Sequence, residues 1–402
     1  MFRKLKENRA SPPLGNQRGG VLLLVAVGLV TWLAMAGLAI DVGRGYIVKA
    51  HLSRAVDAAA LAAARSLRRG ESEARQNGLA VARANGVEQD RSGTTISLGF
   101  SSNEWDEETV SVAASRNLPT VLMKLIGHDR VEVRAGAVAV IPPVDMVLVL
   151  DQSGSLGSAG AWDDLQKAAR AFVRHFDDKI DQVGMVSFNA RAENHFNLSQ
   201  PFTGKAISTI SSMHSVSYTN TGEGLRLAFE QFNTGPNVRD RSAKVVVFFT
   251  DGRPTAFSGP VGGQDRILTA WSGSAVNGYW DIPDPVSIDP AVSPGAKSCG
   301  SSGCWGYDKN RVWGQAEQDG LFWADQIRRK NILVYTIGLG DPTRPPGDPL
   351  LARPQYLREL ANEGHISDPN QPEGKMYFAP GPDELLKVFN LVAQDLLARL
   401  AQ

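Results

Sequence analysis

Oxygen-bearing side chains recur in the C-terminal half of the chain at the ends of strand-like runs, in a pattern suited to holding a hard cation. Asp151-Gln152-Ser153-Gly154-Ser155 follows the apolar run DMVLVL, and Thr250-Asp251-Gly252 closes KVVVFFT. Between them, Thr219-Asn220-Thr221-Gly222 opens a helical pattern. Divalent cations such as Mg2+ take oxygen ligands in near-octahedral geometry and retain some waters. Two carboxylates, Asp151 and Asp251, and three hydroxyls, Ser153, Ser155 and Thr219, meet that demand without saturating it. A DxSxS pattern alone is a weak signal. Its position after a strand, with two further oxygen-bearing loops on the same side, is what gives it weight. The same residues also read as turn caps at Asp151 and Ser153, a strand-to-loop turn at Asp251 and a helix N-cap at Thr219.

The elements that must position these residues alternate in type. DMVLVL, QVGMVSF, KVVVFFT and NILVYTIG are short and rich in β-branched residues, as buried strands of a parallel sheet are. Between and after them come AWDDLQKAARAFVRHF, GEGLRLAFEQF, QAEQDGLFWADQIRR and DELLKVFNLVAQDLLARL, each apolar on one face. The alternation predicts an α/β fold with an open, doubly wound sheet over residues 144–402. In such sheets ligands bind outside the carboxyl ends of the strands.

These stretches resemble the von Willebrand factor type A domain and its metal-ion-dependent adhesion site, through VDMVLVLDQSGS, QVGMVSFN, YTNTGEGL, KVVVFFTDGRP and NILVYTIGLG in family order. The resemblance implies that Ser153 and Ser155 ligate a divalent cation directly. Asp151, Thr219 and Asp251 then bind it directly or through water. Thr219, rather than Thr221, fills the first threonine of the family's TxT pattern. Mg2+ is the first expectation, with Mn2+ or Ca2+ as alternatives. The resemblance further implies a protein partner that offers a carboxylate to the metal, and a movement of the last helix on binding.

The N-terminus has a different chemistry. Residues 1–18 carry Arg3, Lys4, Lys6, Arg9 and Arg18 against Glu7 and read as a basic leader. Val21 to Ile40 is uncharged, and about twenty such residues suffice for a helix to cross a ~30 Å hydrocarbon layer. The positive-inside tendency places the leader in the cytoplasm and the rest of the chain beyond a bacterial inner membrane, as a single-pass protein. Ala34-Met35-Ala36 also has the small-residue pattern of a cleaved signal, but the apolar run exceeds a usual signal core, which favours an uncut anchor. The helical pattern continues past the span with Leu52, Val56, Ala59, Ala63 and Leu67 on one stripe. That stripe suits either a partner helix or the chain's own domain. Gly20 before the span and GLAIDVGRGYIVKAHLSRAVDAAALAAA after it, with Asp41, Tyr46 and Asp57, resemble the N-terminal segment of TadE/TadG-like proteins of Flp (tight adherence) pilus assembly. Prepilin cleavage wants a glutamate five residues after the glycine, where Leu24 and Val25 stand, which argues against processing into a pilus subunit.

Residues 69–143 read as a small mixed α+β spacer. LAVARANG suggests a short helix, TTISLGF and TVSVAAS suggest strands, PTVLMKLIG an apolar helix and RVEVRAGAVAVI a further strand. Pro142-Pro143 closes the segment.

Within the C-terminal domain, residues from about 255 to 313 form an insertion rich in Gly, Pro, Ser and aromatics. Trp271, Trp280, Trp305 and Trp313 suggest a surface for a partner or glycan near the metal, against the alternative of a self-packed ornament. Cys299 and Cys304 flank a four-residue loop, and in an oxidising compartment a disulfide between them is the simplest reading.

Composition excludes several functions. Among 402 residues, 42 Lys and Arg balance 42 Asp and Glu, so no basic field collects nucleic acid. There is no GxSxG, HExxH, GxxxxGK[ST] or strand-linked GxGxxG, so catalysis has no motif to rest on. Three roles remain. The first is a membrane-anchored, metal-dependent interaction component of a Flp/Tad-type pilus or surface-adhesion system. The second is a metal-dependent adhesin or envelope scaffold unrelated to pili. The third, a helper to a cytoplasmic ATPase, conflicts with the topology.

Overall fold

The computed structural model describes residues 18–400, apart from 69, 104–106, 217, 271–275, 277, 282–303, 306 and 341–352. Two compact units divide the chain. One comprises residues 1–100 and 110–139, and the other residues 101–109 and 140–402.

In the first unit, α1 (Arg18–Leu67) runs unbroken from the apolar span into the alanine stripe. The span presents its large side chains outward, with Leu24 74% and Trp32 77% exposed, a surface that water disfavours and hydrocarbon accepts. Beyond it, Leu52, Val56, Ala59 and Ala63 are fully buried. They face α2 (Glu71–Ala84), whose buried positions are Ala74, Gly78 and Ala82. The two helices approach closely. A methyl on Gly78 would lie 3.0 Å from the Ala63 Cβ and 3.2 Å from the Ala59 carbonyl oxygen. Of the two uses open to the stripe, the structure shows packing on its own unit. Three strands follow, β1 (Thr94–Ser102), β2 (Glu108–Pro119) and β3 (Arg130–Ile141), in that spatial order.

The apolar helix expected over PTVLMKLIG does not form. Strand β2 runs through Pro119, and only a 3-10 turn, Met123–Ile126, remains. The cause lies in α1. The Asp41 carboxylate accepts hydrogen bonds from the backbone N–H groups of Val121, Leu122 and Met123 at 2.8, 2.9 and 2.8 Å.

The second unit contains, in chain order, β4 (Val144–Asp151), α3 (Gly154–Ser158), α4 (Trp162–Val173), β5 (Gln182–Phe188), β6 (Ala192–Ser199), α5 (Thr203–Ser212), α6 (Thr221–Asn233) and β7 (Ala243–Thr250). There follow β8 (Ala256–Val261), β9 (Gln264–Thr269), β10 (Gly278–Asp281), α7 (Lys309–Arg329), β11 (Leu333–Leu339), α8 (Pro354–Ala361), β12 (Lys375–Ala379) and α9 (Leu385–Leu400). The main sheet has the order β12-β11-β7-β4-β5-β6. All neighbours are parallel except β6, which pairs antiparallel with β5 and makes the sheet mixed.

Alternation along the strands divides the core in two. Met146, Leu148 and Leu150 of β4 join Phe172, Phe389 and Val392 of α4 and α9 on one face. Val147 and Val149 join Leu225, Ala324 and Leu360 of α6, α7 and α8 on the other. Burial on both faces is why β4 reads as a continuous apolar run.

Candidate functional site

Strand β4 pairs with β5 on one side and β7 on the other, so the chain order reverses at β4. The crevice at the carboxyl ends of β4 and β7 is therefore the topological switch point, where open α/β sheets bind ligands. Asp151 is the last residue of β4, and Asp251 follows the last residue of β7.

Asp151, Ser153, Ser155 and Asp251 form one hydrogen-bonded cluster. The Ser153 backbone N–H donates to Asp151 Oδ1 at 2.7 Å. The hydroxyls of Ser153 and Ser155 donate to Asp251 Oδ1 at 3.1 and 2.9 Å and lie 3.0 Å from each other. Asp151, Ser153, Thr219 and Asp251 are all buried, while Ser155 is half-buried. Among the described residues no hydrogen bond joins Thr219 to the other four. It is held instead by its backbone, with its N–H on Thr255 Oγ1 at 2.9 Å and its carbonyl accepting from the N–H groups of Thr255 at 2.8 Å and Ala256 at 3.1 Å.

Asn220 is the N-cap of α6, its side chain accepting from the Glu223 N–H at 3.3 Å while its amide donates to the Ala190 carbonyl at 2.9 Å. The turn interpretation of the Thr219 region therefore holds for its neighbour Asn220. Thr221, the first residue of α6, faces α7: a methyl on Gly320 would lie 3.1 Å from its Cγ2.

Two participants escaped the sequence analysis. The Thr250 hydroxyl donates to Asp151 Oδ2 at 2.5 Å and accepts from the Gly252 N–H at 3.2 Å. Thr255 secures Thr219, as described above. A threonine at the carboxyl end of a buried strand, directly before the aspartate, was the available signal for Thr250.

Both carboxyls are pushed above the ordinary carboxylate range. Burial is the main cause for Asp151, reinforced by the charge of Asp251 and opposed by hydrogen bonds from Thr250 and Ser153. Burial likewise raises Asp251 against the hydrogen bonds of Ser155 and Ser153. The nearby Arg253 does not compensate them, being paired with Glu317 at 2.9 Å and stacked on Trp313. Two buried acids with hydroxyl neighbours and no protein cation among their bonded partners fit a hard divalent cation, and every donor is oxygen. Among the described residues no group of three or more His, Cys, Asp or Glu is placed to hold a metal ion, so the cluster stays at two carboxylates.

The described residues of the insertion carry regular structure. Strands β8, β9 and β10 form a small antiparallel sheet. Phe257, Leu268, Cys304, Val312 and Trp313 build a separate small core. Trp313, expected on a contact surface, is instead interior. It is 2% exposed on α7, and its indole N–H donates to the Ala270 carbonyl at 2.9 Å. Trp305 is 43% exposed, with the Arg266 guanidinium 4.3 Å from its ring centroid and Tyr279 edge-on at 4.9 Å. Trp280 belongs to β10, but its side chain lies outside the described residues, as does all of Trp271. Cys304 is disulfide-bonded, and Cys299 lies outside the described residues.

Sheet order, two-sided core and an oxygen-lined crevice at the switch point are those of an α/β domain with the von Willebrand type A fold. Residues 145–268 match the family model of the von Willebrand factor type A domain, and residues 19–66 match that of the Flp pilus-assembly TadE/G-like segment. No curated protein matches the chain. Among solved structures, the PilB minor pilin from Streptococcus sanguinis is similar at 16% identity over 76% of this chain and 79% of that one, with a TM-score of 0.43. The von Willebrand domain of the type V pili tip protein Mfa5 from Porphyromonas gingivalis is similar at 17% identity over 64% and 96%, with a TM-score of 0.41. Proximal thread matrix protein 1 from the mussel byssus is similar at 15% identity over 64% of this chain, with a TM-score of 0.37, and the match spans 46% of the thread protein's length.

Proposed function

We propose that this protein is a membrane-anchored, extracytoplasmic interaction component of a bacterial Flp/Tad-type pilus assembly or surface-adhesion system. Its partner is gripped through a divalent cation held by Asp151, Ser153, Ser155, Thr219 and Asp251. The observation that carries the reading is the convergence of two buried, mutually repelling carboxylates and two serine hydroxyls at the sheet's switch point. The two family matches within one chain supply the context.

Bound there, a cation such as Mg2+ would supply the positive charge with which a partner's carboxylate pairs. The protein's own residues supply the rest. Thr250 and the Ser153 backbone orient Asp151, Ser153 and Ser155 orient Asp251, and Thr255 fixes the loop that carries Thr219. The role proposed is binding rather than turnover, since none of the catalytic motifs sought in the sequence accompanies the two carboxylates. The uncharged run within α1 fits a single-pass protein, and the basic leader orients it with the N-terminus in the cytoplasm and the bulk beyond the inner membrane.

The test uses the full chain in detergent, stripped with chelator. Its unfolding temperature is followed as Mg2+, Mn2+ or Ca2+ is added, with Asp251→Ala alongside. A ligand that binds only the folded state stabilises it by ~2.7 kcal/mol at a hundredfold excess over Kd. A saturable rise in the native protein that the variant lacks is the expected result. Equal curves for the two proteins would refute the metal site.

A further inference from the structure

We propose that the segment joining β2 to β3, residues 120–129, is a second membrane-inserted element, a wedge that enters the lipid beside the C-terminal end of the span. The inference rests on the membrane reading of α1 given above and adds a lipid-contacting site to it.

Three observations place the wedge. The first is the clamp: Asp41, the first charged residue after the apolar run, takes the N–H groups of Val121, Leu122 and Met123 together. A backbone turn entering hydrocarbon must have its polar groups satisfied from within the protein, and this carboxylate satisfies three of them. Thr120 and Asp129 close the segment's base, the Thr120 N–H donating to the Asp129 carbonyl at 3.1 Å. The His128 N–H donates to the Met123 carbonyl at 3.1 Å.

The second observation is the seat. Leu122 lies over Gly37, where an added methyl would come within 2.3 Å of its Cδ1. No other residue type leaves that notch in the helix surface. At 1.5 Å per residue, Gly37 is about 6 Å inside the boundary marked by Asp41, so Leu122 reaches below that boundary.

The third is what surrounds the seat. Leu122 and Met123 line, with Val30, Leu33, Ala34 and Leu38, an apolar cavity of about 610 Å³. It extends along the uncharged span toward its middle. Five of the six residues in Val121-Leu122-Met123-Lys124-Leu125-Ile126 are apolar, and Val121 is 45% exposed. The one charge, Lys124, is exposed and long enough to reach the headgroups from the interface. A groove at this depth along an uncharged helix is filled by the acyl chains of the surrounding phospholipid, which is the occupant we assign to it.

The experiment places an environment-sensitive thiol probe on the full chain, reconstituted in phosphatidylcholine vesicles with or without brominated acyl chains. Labelling without reduction spares the disulfide-bonded Cys304. Probes go at Val121→Cys in the wedge, Leu33→Cys in the span and Gln76→Cys on the exposed face of α2. The expected result is a loss of emission at Val121 comparable to that at Leu33, with none at Gln76. Quenching at Leu33 without quenching at Val121 overturns the wedge and leaves the span standing. No quenching at Leu33 overturns both. Asp41→Ala and, independently, Gly37→Leu are expected to release the wedge and lower quenching at Val121 while Leu33 is unaffected. Unchanged quenching at Val121 in both variants would overturn the clamp and the seat.

Discussion

Ser153 joins Asp151 to Asp251: its backbone N–H bonds one carboxylate at 2.7 Å and its hydroxyl the other at 3.1 Å. The two acids come from strands that are neighbours in space but about a hundred residues apart in sequence, and this serine spans the gap between them. Ser153→Ala keeps the first bond and deletes the second. Ser153 is a proposed ligand and also orients Asp251, and loss of a group that orients a metal ligand costs ~10–100-fold in affinity, so the variant is expected to bind cation at least about tenfold more weakly. The midpoint of the thermal-shift titration reads this directly. An unchanged midpoint would remove Ser153 from the site.

The acidity of the pair gives an inverted pH profile. Both carboxyls are raised above their unfolded values, so the folded state holds their protons more tightly than the unfolded state does. The pair's contribution to stability without cation is therefore fullest at acid pH and is lost as pH rises from about 4, where unfolded carboxyls ionise. A bound cation favours the ionised pair and should flatten the fall. Thermal unfolding between acid and neutral pH, with chelator and with saturating Mg2+, is expected to show a slope in the first case and little in the second. Cation affinity should weaken toward acid pH.

Asp319 provides a second, separable titration. Its carboxyl packs against the first turn of α6, where a methyl on Gly222 would fall 1.9 Å from Oδ2. Burial, then the charge of Glu223, pushes it up to about 6, with Arg226 opposing. Ionising it costs stability as pH rises from about 4 to about 6, and the cost is constant above that. Asp319→Asn is expected to remove that component and to be more stable than the native protein at neutral pH, with its cation response intact. A loss of stability at neutral pH would show that the charge is compensated after all.

Arg239 secures the opposite end of β4. Its guanidinium binds the fully buried Asp145 carboxylate through Nε at 2.8 Å and Nη2 at 2.5 Å, and also the carbonyls of Ile180 and Val144. Removing one partner leaves a buried charge uncompensated, and Arg239→Ala is expected to cost about 3 kcal/mol. Chemical denaturation measures it. A change below about 1 kcal/mol, the scale of exposed pairs, would mean that water replaces the guanidinium.

The fold was legible where burial on both faces writes an apolar run, as in β4, β5, β7 and β11. It was not legible at β6, whose sequence AENHFNLS has the polar composition of an edge strand, nor at α5 and α8, which are short. The sheet β8-β9-β10 was hidden by the Gly and Pro content of the insertion. Aromatic content marked Trp313 for a surface, but the indole found a carbonyl partner and a core instead. The apolar helix over PTVLMKLIG failed because a carboxylate some eighty residues earlier takes its N–H groups, a long-range effect that local periodicity does not encode. In the site, Asp151, Ser153, Ser155 and Asp251 were readable from side-chain type and strand ends. The contributions of Thr255 and of the Thr219 backbone were not, because main-chain bonding leaves no side-chain signature.

The chain enters the main sheet at Val144 and reaches Asp151 within a single strand. A load applied between the start of β4 and a ligand bound at Asp151 would pass lengthwise along that strand. That strand is flanked by parallel ladders to β5 and β7 along nearly its whole length. Pulled along its axis, it can leave only by shearing both ladders together, not by opening hydrogen bonds one at a time. The strand that ends at Asp151 is thereby one whose extraction would break two ladders at once.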